Sequence, residues 1–441
     1  MVFRYSTEEK RNGIYTRQCV FMFLTHGAAF LSLCVQTGDM EYLFFYGFEQ
    51  IILFASICMF QMLYPNGNRL IINNMCMLLG IGFIMLARLS MTKAIKQFLI
   101  VVVSMVFVLL IPYIMRKYKS LRDLTWLYAL AGVVSLGGVL FLGSLTNGSK
   151  LSFSIGGVTF QPSEMVKIVF VFLIAGILSK SHNLLQIVKA GSLAAVHVLI
   201  LVLSRDLGSA LIFFVVYFAM VFFATGKIRY LALGAGSGAA ASVLAYRIFT
   251  HVQVRVQAWR DPWSVIDSEG FQITQSLFAI CSGGLFGLGL LQGTPKSIPY
   301  VETDFIFAAI TEELGIIFSL CLILICLSCF IMFVNISLHL RDEFYQLTAF
   351  GLGICYIFQV FLTIGGGVKF IPLTGVTLPL VSYGGSSVLA TLVMFAVIEG
   401  LYIIRQEEEI RLAREKSIRE RKRIRSSQTE KNAQIRDREE F

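Results

Sequence analysis

Charge is scarce in this sequence. Asp, Glu, Lys and Arg make up 15% of 441 residues, whereas 56% are hydrophobic and the mean hydropathy is +0.75. That balance excludes an ordinary soluble domain and indicates an integral membrane protein, with apolar runs near the roughly 20 residues that cross a bilayer. Cysteine chemistry is also lacking. Of nine cysteines, Cys19, Cys34, Cys58, Cys76, Cys321, Cys326, Cys329 and Cys355 fall inside apolar runs and only Cys281 lies elsewhere. They read as small apolar fillers, with neither a disulfide framework nor a zinc pattern. No metal-binding helix motif, phosphate-cradling glycine loop or nucleic-acid module occurs, and the net charge of +10 is explained by the membrane. The polar segment 1–17, with Arg4, Lys10, Arg11 and Arg17, imitates the start of a signal peptide. The run after it lacks a convincing cleavage site and is followed by more spans, so it reads as retained.

What is present is a series of spans, at about 18–36, 41–64, 69–88, 97–115, 123–144, 163–180, 187–203, 207–224, 229–246, 305–335, 344–366 and 384–404. The expected fold is all-α and polytopic, with about 12 transmembrane helices. Alternating them places "RKYKSLRD" (116–123), Lys180, Lys189, Lys227, Arg229, Arg341 and the basic tail on one side, which the positive-inside rule assigns to the cytoplasm. Both termini are then cytoplasmic, while Arg88, Lys93 and Lys96 fall outside, against the rule.

This orientation puts the connection 247–303 outside, and an internal loop of that length is usually functional. Ile273, Leu277 and Ile280 recur at helical spacing, which predicts a short amphipathic helix along the membrane surface. A second outer loop, "GGGVKFIPLTGVTLPLVSYGGSS" (365–387), suits irregular backbone at membrane depth and contributes Lys369 and Ser382 as candidate substrate contacts. The tail 406–441 alternates charge and reads as a cytoplasmic helix with acids and bases paired at three- and four-residue spacing. Its cluster Arg421, Lys422, Arg423 and Arg425 could touch anionic lipid.

The carboxylates of "IPYVETDFIFAAITEELG" (298–315) stand out against this apolar background. With a helix starting near Asp304, Glu312 lies about 12 Å deeper and about 80° round the axis. Asp304 is then either a helix cap or a reactive group, and the helix dipole would keep it ionised for either role. Glu312 and Glu313 read as structural, bonding between helices. Glu164 and Lys167 of "FQPSEMVKIVF" (160–170) sit three apart and can pair, and "SRDLGSALIFF" (204–214) starts another span with Arg205 and Asp206. Three helices thus begin at the outer surface with charged residues, which implies a cavity opening outward.

"FQPSEMVK", "RDLGSA", "RVQAWRDPW", "GFQITQSLFAICSGGLFGLGL", "TDFIFAAITEELG" and "IPLTGVTLPLVSYGGSS" together resemble the SEDS family (shape, elongation, division and sporulation), which includes the FtsW, RodA and SpoVE proteins. The resemblance covers about 69–405. It implies a ten-span core, with 18–64 an added N-terminal pair. It also implies a peptidoglycan glycosyltransferase that polymerises lipid II outside the bacterial cytoplasmic membrane, beside a class B penicillin-binding protein. The family's essential aspartate falls on Asp304 and its membrane-facing lysine on Lys167. Its loop positions fall on Arg255, Pro262, Gly270, Gln272, Gln275, Ser276, Gly284, Gly287 and Gly289. The chain departs from the pattern at Glu302, where histidine is frequent, and at Leu151 and Ser152, where an Arg-Trp pair is frequent.

Chemistry supports the same reading. Sugar transfer from a lipid pyrophosphate requires a base for the attacking hydroxyl and cations for the leaving group. Asp304 can be that base, or can hold a divalent cation, Mg2+ or Mn2+. Lys167 and Arg255 are candidates for the anion, with Glu164, Gln272 and Gln275 as further contacts. Gly384 and Gly385 allow close approach of substrate or of a neighbouring helix. A transporter of lipid-linked precursor, or a noncatalytic scaffold for a penicillin-binding protein, would use the same helices. The long outer loop ending at the aspartate favours surface chemistry.

Overall fold

The computed structural model describes residues 2–146, 149–155 and 158–439. Its helices are α1 (Val2–Thr37), α2 (Glu41–Leu63), α3 (Arg69–Leu89), α4 (Met91–Val108), α5 (Ile111–Lys117), α6 (Thr125–Leu142), α7 (Pro162–Leu178), α8 (Leu184–Leu203), α9 (Leu207–Thr225), α10 (Arg229–Ile248), α11 (Thr250–Arg260), α12 (Phe271–Gly283), α13 (Ile306–His339), α14 (Glu343–Gly367) and α15 (Gly385–Glu439). Among the described residues, 11 helical segments are long and apolar enough to cross a membrane, α4 and α5 counting as one, Met91–Lys117. The 17-residue α7 is the twelfth. It is short but among the most enclosed, since all its residues except Met165 and Val169 are buried. The chain is therefore a multi-pass membrane protein with the expected all-α architecture.

The core sits where α3, α7, α14 and α15 meet the flanking helices. Phe333 of α13, Tyr356 of α14 and Phe395 of α15 pack with ring centroids 5.1–5.6 Å apart and are almost wholly buried. By contrast, only Gly234 of α10 is buried. α15 runs without interruption from the last span into the charged tail, as expected. The cluster at Arg421, Lys422, Arg423 and Arg425 lies outside the residues whose side chains are described.

Three features differ from the sequence expectation. A three-stranded antiparallel sheet, β1 (Ser144–Thr146), β2 (Ser149–Ile155) and β3 (Val158–Phe160), joins α6 to α7, where no strand was expected. The helix α12 packs against α13 and α14, and the Ser276 hydroxyl donates to the Gly367 carbonyl at 2.8 Å. Its buried face is Ile273, Thr274, Ser276, Ala279 and Gly283, so Leu277 and Ile280 fall on its half-buried shoulder. Finally, α13 is broken at Gly315 (φ 86°, ψ 168°). The chain 284–289 enters the break: Ile316 N–H donates to the Gly284 carbonyl at 3.0 Å, and Leu288 and Gly289 N–H donate to the Glu312 and Glu313 carbonyls at 2.9 Å. A Cβ on Gly315 would stand 2.4 Å from the Gly287 nitrogen, so the break requires glycine.

Arg88 also finds its explanation inside the bundle. Its guanidinium pairs with Glu313 at 2.8 Å and donates to the Gly293 carbonyl at 3.2 Å, buried throughout. A charge consumed in this way reports packing, and its disagreement with the positive-inside pattern disappears. Glu312 accepts from the Thr294 N–H at 2.8 Å. The two glutamates thus pin the loop that precedes Asp304 to the first half of α13.

Candidate active site

The segment 300–304 is built from the outside in. Tyr300 takes a left-handed backbone (φ 58°), and its carbonyl accepts from Thr303 and Asp304 N–H. The following stretch is stapled to the second outer loop: Tyr383 N–H donates to the Glu302 carbonyl at 2.8 Å, and the Ser382 hydroxyl donates to the Thr303 carbonyl at 2.5 Å. Gln97 of α4 locks that loop in turn, donating to the Ser382 carbonyl at 3.0 Å and accepting from Gly384 N–H at 2.9 Å. Glu302 forms an ion pair with Lys93, whose ammonium lies 5.8 Å from the Tyr383 ring centre. Asp304 is thereby fixed two residues before α13 begins. It does not cap that helix: Phe305 is the N-cap residue, and no side chain bonds the first-turn amides.

Two cavities meet at Asp304. The larger, about 500 Å³, is enclosed by α11, α12 and the 299–304 segment, with Ser268, Glu269, Gln272 and Tyr300 among its polar lining. The other, about 330 Å³, lies toward α7, α9 and α15, with Gln161, Glu164, Arg205, Asp206 and Ser386 on its walls. Asp304, Arg255 and Gly375 line both. Arg255, from α11, donates to the carbonyls of Leu373 and Thr374 at 3.2 and 3.1 Å, which aims it across the junction. Gly375 has φ +76°, and a Cβ there would lie 3.8 Å from Arg255 Nη2 and 3.9 Å from Asp304 Oδ2. A side chain at that position would therefore enter the junction.

Burial pushes the Asp304 carboxyl up to about 6, against the pull of the Arg255 guanidinium. With Asp304 outside the first turn of α13, desolvation rather than a helix dipole dominates its value. Arg255 is itself pushed down by burial and supported by Asp304 and Asp206.

The residues singled out in the sequence divide into two groups. Asp304, Arg255, Gln272 and Glu164 line the cavities, as do Gly384 and Gly385. Lys167 does not: its ammonium is buried under the floor, donating to Glu164 at 2.7 Å and to Gln359 at 2.6 Å. Ser382 is buried with its hydroxyl committed to Thr303 and to the Leu378 N–H, so it shapes the site from behind. Gln275 and the Lys369 side chain line neither cavity, and the Lys369 carbonyl accepts from Trp259 Nε1 at 3.1 Å. A Cβ on Gly385 would stand 2.7 Å from Ile100, so this glycine serves close packing on α4 as well.

Sequence reading missed Gln97 and Gln359. Gln359 accepts from Lys167 and donates to the Thr377 carbonyl at 3.0 Å, tying the floor to the second outer loop. The available signal was a lone amide in an apolar span, which is costly unless it is bonded. Among the described residues, no group of three or more His, Cys, Asp or Glu could hold a metal ion. Asp304 offers one carboxylate, which does not make an all-protein cage.

The chain matches known proteins over most of its length. It is 31% identical over 385 residues to the peptidoglycan glycosyltransferase RodA of Mycobacterium tuberculosis, covering 80% of this chain and 82% of that one. It is 33% identical over 308 residues to stage V sporulation protein E of Bacillus subtilis, covering 67% and 81%. Two solved structures share the fold. One, from work on the structural coordination of polymerization and crosslinking by a peptidoglycan synthase complex, has a TM-score of 0.65 at 23% identity over 77% of this chain and 98% of that one. The other, the crystal structure of the rod shape determining protein RodA of Thermus thermophilus, has a TM-score of 0.59 at 22% identity, covering 77% and 97%. The family match starts at residue 68, after α2, and ends at residue 407. The chain belongs to the FtsW, RodA and SpoVE family of cell cycle proteins.

Proposed function

We propose that Asp304 is the base of a glycosyl transfer, with the acceptor sugar in one cavity and a pyrophosphate-linked donor in the other. The chain is a peptidoglycan glycosyltransferase of its family, and the proposal concerns how its residues perform that activity. One observation carries it: Asp304 and Arg255 stand at the junction of two cavities, and α7, α9, α13 and α15 all begin around the smaller one. Helix N-termini carry partial positive charge, so four of them favour a polyanion there.

The donor is lipid II, approached from the outer face of the cytoplasmic membrane. In the transfer step the acceptor hydroxyl oxygen bonds to the anomeric carbon. The bond from that carbon to the pyrophosphate oxygen breaks, its electron pair leaving with the pyrophosphate, and the hydroxyl proton passes to Asp304. Attack opposite the leaving group inverts the centre, so one carboxylate suffices. A carboxyl near 6 is ionised at neutral pH yet basic enough to take a proton in the transition state. Arg255 faces the leaving oxygens, while Lys167 supports the site by neutralising Glu164 beneath it. In the alternative role Asp304 would be the protein ligand of a bound Mg2+ or Mn2+, which would offset phosphate charge. The partner is a class B penicillin-binding protein, in line with the peptidoglycan synthase complex of which one chain has the same fold.

The test is polymerisation of labelled lipid II by the purified full chain, alone and with a single-span transpeptidase. Glycan polymer is expected. Flipping of lipid II across vesicles without polymer, with the partner present, would favour the transporter, and neither activity would favour the scaffold.

A further inference from the structure

Tyr300 stands four residues before Asp304 with a left-handed backbone, φ 58°, where any side chain is costly and glycine is the low-cost choice. The turn it makes is tied to the backbone of the carboxylate itself. The Tyr300 carbonyl accepts from Thr303 N–H at 3.0 Å, from the Thr303 hydroxyl at 3.0 Å and from Asp304 N–H at 3.2 Å. Those bonds require no particular side chain. Yet the residue is a tyrosine, 51% exposed and on the lining of the 500 Å³ cavity that Asp304 shares. Among the described residues, none hydrogen-bonds the Tyr300 hydroxyl or stacks on its ring. A large side chain held on a costly backbone at a cavity wall, and idle in the fold, raises the question of what it binds.

The two cavities differ in chemistry. Four helix N-termini surround the smaller one, which suits the diphosphate of the donor. On the lining of the larger one, apart from Asp304 and Arg255 at the junction, the one charged residue is Glu269. A carboxylate repels phosphate and accepts hydrogen bonds from hydroxyls, and the Gln272 amide can accept or donate. Tyr300 and Phe271 add two aromatic side chains, 51% and 37% exposed, from separate segments. Aromatic faces with a few hydrogen-bonding groups, around a volume in the range of small-molecule sites, suit a neutral sugar. Its hydroxyls take the polar groups and its C–H face takes a ring.

We propose that the larger cavity takes the acceptor and that Tyr300 is its acceptor-binding residue, the ring serving as the platform for the sugar that bears the attacking hydroxyl. The bond from Asp304 N–H to the Tyr300 carbonyl fixes the platform relative to the base, so one turn sets both. The ring face is what the sugar needs, and the phenolic hydroxyl is dispensable. This inference rests on the two-cavity reading of glycosyl transfer, and it is measured by binding so that the two can fail separately.

The experiment uses the full chain in nanodiscs with two labelled probes, a lipid-free peptidoglycan tetrasaccharide and undecaprenyl diphosphate. Wild-type protein is expected to bind both. In Tyr300→Ala and Tyr300→Gly, tetrasaccharide affinity should fall by about five- to twentyfold, the size of one lost ring contact, while diphosphate affinity moves by less than about threefold. Tyr300→Phe and Tyr300→Trp should stay within about threefold of wild type for both probes. Tyr300→Gly relieves the left-handed backbone, and its retained diphosphate binding reports an intact fold. Unchanged tetrasaccharide affinity in Tyr300→Ala and Tyr300→Gly, a parallel loss of both probes, or a loss in Tyr300→Phe as large as in Tyr300→Ala would overturn the platform. Failure of wild-type protein to bind the tetrasaccharide would overturn it as well. Wild-type protein that binds the tetrasaccharide but not the diphosphate would overturn the two-cavity reading, leaving the tetrasaccharide comparison across the variants to decide the platform.

Discussion

Holding Asp304 ionised works against the fold, and removing its charge should stabilise the protein. Its carboxyl moves from an ordinary 3.8 to about 6, and this net shift already contains the attraction of Arg255. Two pH units correspond to about 3 kcal/mol, an upper figure because the side chain is only partly buried. The sign follows from linkage. A carboxyl raised in the folded state binds protons more tightly there than in the unfolded chain, so stability is full below about pH 4 and is lost as pH rises through about 6. Asp304→Asn is exempt from that loss. Its gain over wild type should be about 1 kcal/mol at pH 4.5 and about 3 kcal/mol at pH 8, other titrating groups cancelling in the comparison. Denaturant titration of both proteins in the same detergent at the two pH values measures it. A variant no more stable than wild type at pH 8, or with a larger gain at pH 4.5, would refute the desolvation argument.

Arg88→Ala should destabilise by about 3–5 kcal/mol, since it leaves Glu313 buried without its cation, whereas replacing both partners by apolar residues of similar volume should recover most of the loss in the same titration. Gly315→Ala should expel the 284–289 segment and abolish polymerisation, because a Cβ there meets the Gly287 nitrogen at 2.4 Å, while Gly384→Ala, whose Cβ would meet its nearest atoms at 3.6 Å, should retain most activity. A cysteine placed at Ser268, in a cysteine-free background, should react with an impermeant thiol reagent in intact cells and one at Ser417 should not. The reverse pattern would overturn the orientation.

The spans were legible because bilayer thickness imposes one strong constraint, a run of apolar residues long enough to cross. Even α7, whose Lys167 and Glu164 dilute its first turns, was found this way. Pairings across the bundle were not legible, since Arg88 and Glu313 are far apart in sequence and nothing local links them. The same limit misassigned Lys167: its pairing with Glu164 was readable from their spacing, but Gln359, which holds the ammonium under the floor, arrives from another helix. The amphipathic period of α12 was real, but its buried face was set by the polar Ser276 bond to Gly367, which a hydrophobicity pattern cannot register. The sheet at 144–160 is too short and polar to compete with the helical signal on either side. Asp304 was visible as an acid before an apolar run, yet the residues that meet it at the junction, Arg255 and Gly375, come from two distant segments of the chain.

The role of Asp304 is tested most directly by glycan polymerisation from labelled lipid II at pH 5 to 8, with Asp304→Asn beside wild type and with Mg2+ or Mn2+ supplied and then chelated. The wild-type rate should rise about tenfold from pH 5 to 7 and level off above the carboxyl's value of about 6. The asparagine variant, folded in the membrane and at least as stable, should make no polymer at any pH. Polymer from the folded variant at a wild-type rate would contradict a catalytic carboxylate at this position.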